Sequence, residues 1–184
     1  SLQGSDGVVM SGATITATSA QAVTKANVTR LDGFTNALVT VASVKDTKSN
    51  VTDIAGLAGV DMSNAVATID DAVSLSEAQD LDKLTEGKIT LSAVKDTYAN
   101  VQEVKKIDDA RVDMGAANVQ VTSQTNITEI NDLRGDTAGN ITIDDVSESK
   151  ANLETINGYG DVSLASADIS VTDVVTKDQA DDIH

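Results

Sequence analysis

The sequence predicts an α/β solenoid: about seven units of a short strand plus a short helix, each about 26 residues long, stacked as one array over residues 1–184. Three observations carry this. The stretch Val39 to Val51 lines up without a gap on Ile89 to Val101, an offset of 50 residues, and Ile141 to Leu153 repeats its apolar positions 52 residues further on. An Asn recurs in these copies, followed by apolar residues three apart. Before each copy's Asn lies an alternating apolar pair.

The alternating pairs come first in each unit. Ile15/Ala17, Val39/Val41, Ala67/Ile69, Ile89/Leu91, Val119/Val121, Ile141/Ile143 and Ile169/Val171 each enclose one polar residue, as in a short strand with one buried face. The triplets follow: Val28, Leu31, Phe34; Val51, Ile54, Leu57; Val101, Val104, Ile107; Ile127, Ile130, Leu133; Leu153, Ile156, Tyr159. Spacing of three places one stripe along a helix, whereas period two would divide it between faces. Asp46 and Asp96, with Ser147 one place earlier in the third copy, stand where helix N-caps are expected, and Ser74 and Glu77 are spaced as a capping box. Gly33, Gly56, Gly59, Gly135, Gly158 and Gly160 fall at or just after the stripes, as helix ends prefer.

One strand and one helix cannot bury their apolar faces alone, so the units are expected to stack, strands forming a narrow parallel sheet and helices lining the other side. The crossover rule favours a right-handed path. This architecture is leucine-rich-repeat-like, although the L-x-x-L-x-L-x-x-N consensus is missing, and the runner-up is a parallel β-helix. The spacing of every second strand at 50 to 52 residues suggests a unit made of two such turns.

Composition narrows the function. With 13 basic and 29 acidic residues the formal charge is −16, which repels polyanions and disfavours nucleic acid or an anionic membrane surface as partner. The three aromatic residues, Phe34, Tyr98 and Tyr159, supply no stacking platform. Cys is absent, which excludes disulfides, thiolate metal sites and cysteine nucleophiles, and Pro is absent too. No apolar run is long enough to span a bilayer. Ser1 opens the chain and the pattern is still running at its end, so a fragment of a longer protein is expected.

The element Val39-Thr40-Val41, then Val44-Lys45-Asp46-Thr47, then Asn50-Val51 with apolar residues three apart resembles degenerate repeats of very large secreted or surface-exposed bacterial proteins, adhesin-like or S-layer-like. The resemblance implies an extracellular or cell-surface location and a structural or adhesive role without catalysis, with neighbouring repeats as the chief partners. The Asp-Thr pair of Asp46-Thr47 and Asp96-Thr97 is kept in two units only.

Candidate residues fit that frame. The recurrent Asn, with weaker copies at Asn27 and Asn126, is expected to bond the backbone of its own or the next coil. The pairs Asp70-Asp71, Asp108-Asp109, Asp144-Asp145 and Asp181-Asp182 read as a solvated acidic face. Calcium at those pairs defines the alternative, a calcium-stabilised binding module, although no known calcium loop is present. A polysaccharide-acting enzyme on a solenoid is the third reading, and it needs a cleft of converging carboxylates with a Lys or Arg. No catalytic or cofactor-binding residue stands out: His184 is terminal, and Gly158-Tyr159-Gly160 has Ser163 where a dinucleotide fingerprint needs glycine. Thr16, Thr40, Thr68, Thr90 and Thr142, interrupted by Gln120 and Ser170, are expected to form an outward file on the strands.

Overall fold

A computed structural model describes residues 11–17, 22–107 and 111–174. Asp108-Asp109, Asp181-Asp182 and His184 lie outside the described residues. The fold is mixed α/β. In chain order its elements are β1 (Ile15–Ala17), α1 (Lys25–Asp32), β2 (Val39–Val41), β3 (Ser43–Asp46), α2 (Lys48–Ala55), β4 (Val60–Asp61), β5 (Val66–Val73), α3 (Leu75–Asp82), β6 (Ile89–Asp96), α4 (Tyr98–Val104), β7 (Val112–Asp113), β8 (Asn118–Thr125), α5 (Ile127–Asp136), β9 (Ile141–Glu148), α6 (Lys150–Asn157), β10 (Val162–Ser163) and β11 (Asp168–Val171). Every strand pairing is parallel. One sheet runs β1-β2-β4; the other has eight strands, with β10-β9-β8-β6-β5-β3 as its spine, β7 on β6 and β11 on β9, and neither closes into a barrel.

The core is aliphatic and lies between the inner strand faces and one stripe of each helix. Val39, Val41 and Val44, then Ala67, Ile69 and Val73, then Ile89, Leu91 and Val94 point inward, and the same pattern continues through Val121 to Val146. Opposite them sit Val51 and Ile54 of α2, Val101 and Val104 of α4, Ile130 and Leu133 of α5, and Leu153 and Ile156 of α6. The expected stripe is present in its middle members, since Ile54, Val104, Ile130 and Ile156 are each 0% exposed, whereas Phe34, Leu57, Ile107 and Tyr159 lie past their helix ends and are half-buried. Its phase differs on α5, where Ile127 is only half-buried. The reason is that Asn126 is the N-cap of α5, whereas Asn50, Asn100 and Asn152 are the third residues of their helices.

All seven predicted strands form, but they do not stack as one file. Paired residues lie 21 to 25 apart, as in Val39↔Val60, Val44↔Ala67, Ala67↔Ile89 and Val94↔Val119. The sequence repeat of Val39 is Ile89, whereas the line of pairing that reaches Ile89 starts five residues further along, at Val44. The sheet thus slides by half a strand every second step. That slide corrects two expectations. The spacing of about 26 between like motifs exceeds the true pairing step, because it includes the slide. The threonine file is broken as well, since Thr40 pairs with Thr16 and Asp61, Thr90 with Thr68 and Asp113, and Thr142 with Gln120 and Ser163.

Helix ends also depart from expectation. The N-caps are Thr47, Thr97 and Ser149, one or two residues beyond Asp46, Asp96 and Ser147, and their hydroxyls accept from the backbone N–H of Asn50, Asn100 and Asn152. A hydroxyl wins here because its short arm reaches the third amide while the residue before it still belongs to the strand. The Ser74/Glu77 capping box is present, and α1 and α5 have the same box with Asn27 and Glu129 as third residues. Gly33, Gly56 and Gly158 are C-caps with right-handed backbone angles, so they end helices without using glycine's left-handed freedom, and Gly135 lies inside α5.

Candidate functional site

The most ordered chemistry in the molecule is at the junction between each helix and the strand after it. The first amide of a helix has no partner within the helix, and burial makes that costly. Here a side chain 21 to 25 residues further along accepts each one, five from strands (β3, β5, β6, β8 and β9) and the sixth from just past the end of β11. Lys25 N–H donates to Asp46 Oδ2 (2.9 Å), Lys48 N–H to Asp71 Oδ1 (2.7 Å), Leu75 N–H to Asp96 Oδ2 (3.0 Å), Tyr98 N–H to Ser123 Oγ (3.1 Å), Ile127 N–H to Glu148 Oε1 (2.8 Å) and Lys150 N–H to Asp173 Oδ1 (2.9 Å). Five of the six acceptors are carboxylates, which also suit the positive end of the helix.

Three of these carboxylates are bound further. Asp46 Oδ1 accepts from Thr47 N–H (2.9 Å) and Asn50 Nδ2 (2.7 Å); Asp96 Oδ1 accepts from Thr97 N–H (2.8 Å) and Asn100 Nδ2 (2.8 Å); Glu148 Oε2 accepts from Ser149 N–H (3.1 Å) and Asn152 Nδ2 (2.7 Å). Each therefore ties two successive helices together through the strand between them. At Asp46 and Asp96 burial pushes the carboxyl upward, yet the hydrogen bonds together outweigh it and hold both groups below the ordinary value. At Glu148 the Ile127 amide, then the Asn152 side chain, hold it below the ordinary value against burial.

This places the recurrent asparagines. They do not form a ladder from one turn to the next: Asn50, Asn100 and Asn152 each donate to a carboxylate four residues earlier in their own unit, because a third helical residue lies beside the strand end that precedes it. Asn126 instead caps α5, accepting from Glu129 N–H at 3.1 Å.

Bonds to backbone 20 to 22 residues earlier are made by threonines that the sequence pattern did not single out. Thr35, Thr85 and Thr137 are buried. Their hydroxyls donate to the carbonyls of Ala13 (2.6 Å), Ala65 (2.7 Å) and Ala117 (2.6 Å) and accept from the N–H groups of Ala37, Gly87 and Gly139. The backbones close in so tightly that a Cβ on Gly87 or Gly139 would stand 2.2 or 2.1 Å from the Ala65 or Ala117 carbonyl oxygen. The signal was available, since Thr35, Thr85 and Thr137 recur at 50 and 52 residues. So was the run Val60-Asp61-Met62, which returns as Val112-Asp113-Met114, with Asp61 and Asp113 each accepting a backbone N–H two residues on.

The acidic pairs have separate tasks. Asp70 faces Lys45 at 3.5 Å while Asp71 receives Lys48 N–H; Asp144 accepts from Gln120 Nε2, and Asp145 from Gln124 Nε2 at 3.4 Å. Among the described residues no group of three or more acidic or His side chains is placed to hold a metal. On the helix side, Lys25–Asp53 and Lys48–Glu77 link successive helices, Lys105 at the end of α4 pairs with Asp136 of α5, and Arg134 of α5 pairs with Asp161 in the turn before β10. Burial, then the bond to Asp132, pushes the Tyr98 phenol up to about 12.

The groove between α2 and α3 has the ingredients named for a sugar-cleaving site, Lys48 with Asp53, Glu77 and Asp80. Lys48 is bonded to Glu77 and Asp53 to Lys25, so these charges are committed to one another. The cleft beside α6, lined by Leu153, Val162, Leu164 and Ile169, has Glu154 as its ionisable group. Ser163 accepts an amide in a turn, and Tyr159 lies against the Arg134 guanidinium at 3.8 Å, so the Gly158-Tyr159-Gly160 run is structural. No described helix is long and apolar enough to cross a membrane. Comparison of the chain with models of known families, with curated proteins and with solved structures yields no match.

Proposed function

We propose that the chain is a solenoid of stacked strand-plus-helix turns that serves as a spacer or adhesive array in a large bacterial surface protein, outside the cell and without catalysis of its own. The observation that carries this reading is the recurrence of one joint: six helices in succession, each with its first amide accepted by a side chain 21 to 25 residues further along. Side chains that recur at 50 to 52 residues here bond the preceding turn, so the repeated chemistry serves to propagate the array. A reaction centre would instead be expected as a single departure from the repeat.

Deletion of residues 62–113 tests it. The cut joins Asp61 to Met114, which are followed and preceded by equivalent residues, so the shortened chain should melt cooperatively. Its longest dimension in solution scattering should fall by about 10 Å, two strand spacings of about 4.8 Å each. A chain that fails to fold, or keeps its longest dimension, overturns the array. In the intact surface protein the same deletion should shorten reach or weaken adhesion in proportion, and total loss of a turnover activity would refute the non-catalytic role.

A further inference from the structure

Three of the six joints are built from a carboxylate that receives three donors at once, and one is built from a hydroxyl. We propose that the joints of Asp46, Asp96 and Glu148 are acid-opened clasps, which on protonation release the first turns of α1, α3 and α5 from the following strands while the Ser123 joint on α4 stays closed.

The geometry supplies the switch. An ionised carboxylate accepts on both oxygens, and each of these three uses one oxygen for the preceding helix and the other for the N-cap amide and Asn of the following one. A proton turns one acceptor oxygen into a donor, and every group facing it is already a donor. Three donors take three of about four lone-pair positions, so the proton goes to the oxygen that holds a single donor, the one facing the preceding helix, and as a hydroxyl it accepts that amide more weakly. Ser123 has no such proton to gain.

The surrounding charges do not mask the effect. Asp46 faces the Lys25 side chain, which is itself paired with Asp53. Asp96 meets the Leu75 and Thr97 amides and Asn100, while the acid of the adjacent first turn, Glu77, is bonded to Lys48 and Ser74. Glu148 meets the Ile127 and Ser149 amides and Asn152, while Glu129 in the first turn of α5 receives Asn126 N–H. All three clasp carboxyls sit below their ordinary values in the folded chain. Their contribution to stability is therefore complete above the unfolded-state range near pH 4 and is lost as pH falls through the lower folded value.

The test is amide NMR on the full chain between about pH 7 and pH 1.5, low enough to cross carboxyls held well below their ordinary range. The Lys25, Leu75 and Ile127 amide shifts should titrate with midpoints below the ordinary 3.8 of Asp and 4.5 of Glu, while Tyr98 stays still. Hydrogen exchange of those three amides, relative to its intrinsic rate, should rise about tenfold, the difference between a charged and a neutral acceptor. Asp96→Ser should abolish the Leu75 titration and leave Lys25 and Ile127 unchanged. If that variant does not fold, Ser123→Asp decides: it should make Tyr98 titrate. Movement of Tyr98 together with the other three in the native sequence, silence of those three, or a Ser123→Asp chain whose Tyr98 stays still would each overturn the proposal.

Discussion

Thr85→Val is the sharpest probe of how successive turns hold together. The side chain is 3% exposed, and its hydroxyl donates to Ala65 O at 2.7 Å while accepting Gly87 N–H at 3.0 Å. Valine keeps the branched shape and replaces the hydroxyl by a methyl, so packing survives and both backbone groups lose this partner. Leaving buried polar groups unsatisfied costs about 1 to 3 kcal/mol, and the added methyl returns about 0.8 kcal/mol. The net expectation is a loss of about 2 kcal/mol. For a chain of this size each kcal/mol lowers Tm by about 2 to 4 °C, so a shift of about 4 to 8 °C should appear in melts followed by circular dichroism. Thr68→Val is the control, because Thr68 is half-exposed on the outer strand face and should change stability by less than about 0.5 kcal/mol. Equal effects of the two substitutions would refute the reasoning, since the hydroxyl would then do nothing at Thr85 that it does not do at the surface.

Gly139→Ala places a Cβ about 2.1 Å from the Ala117 carbonyl oxygen and should destabilise by about 1 to 3 kcal/mol, whereas Gly135→Ala, in open space inside α5, should stabilise by about 0.5 to 1 kcal/mol; urea unfolding measures both. Asn100→Ala strips a donor from Asp96 and should cost about 1 to 3 kcal/mol, while Asn126→Ala removes an N-cap at about 1 kcal/mol, and negligible loss for both would sink the assigned roles. With sixteen excess negative charges, added salt should stabilise by screening, and sodium chloride matched for ionic strength should reproduce most of any calcium effect on Tm; a large shift at micromolar calcium alone would point to a specific ion site.

Burial was legible in the sequence, and pairing was not. Val51 and Ile54 or Ile141 and Ile143 declare their inward face because spacing alone sets which side a residue takes. The partner of a strand is a different matter, since an eight-residue strand offers the same alternation in both halves. Nothing in Ile89-Thr90-Leu91 says whether Val112 or Val119 lies alongside, and a five-residue slide moves every outward side chain to a new neighbour. The joints escaped for a related reason. Asp96 reaches an amide 21 residues back, and a contact of that range leaves no local pattern beyond its own recurrence. Thr85 resembles any strand or loop threonine until its burial is known.

Each joint points one way, because the acceptor always lies later in the chain than the helix it serves. The two ends of this series of joints are therefore unequal. Cutting residues from the N-terminal side carries away helices together with their donors, and what remains keeps every acceptor it needs. Cutting from the C-terminal side strands the last helix with an open first amide. A nascent chain meets the same asymmetry, since a helix leaving the ribosome must wait for the side chain 21 to 25 residues behind it. At about 5 to 20 residues per second that wait lasts about 1 to 5 seconds per turn. Maturation thus trails synthesis by one turn, and the newest helix is always the unfinished one.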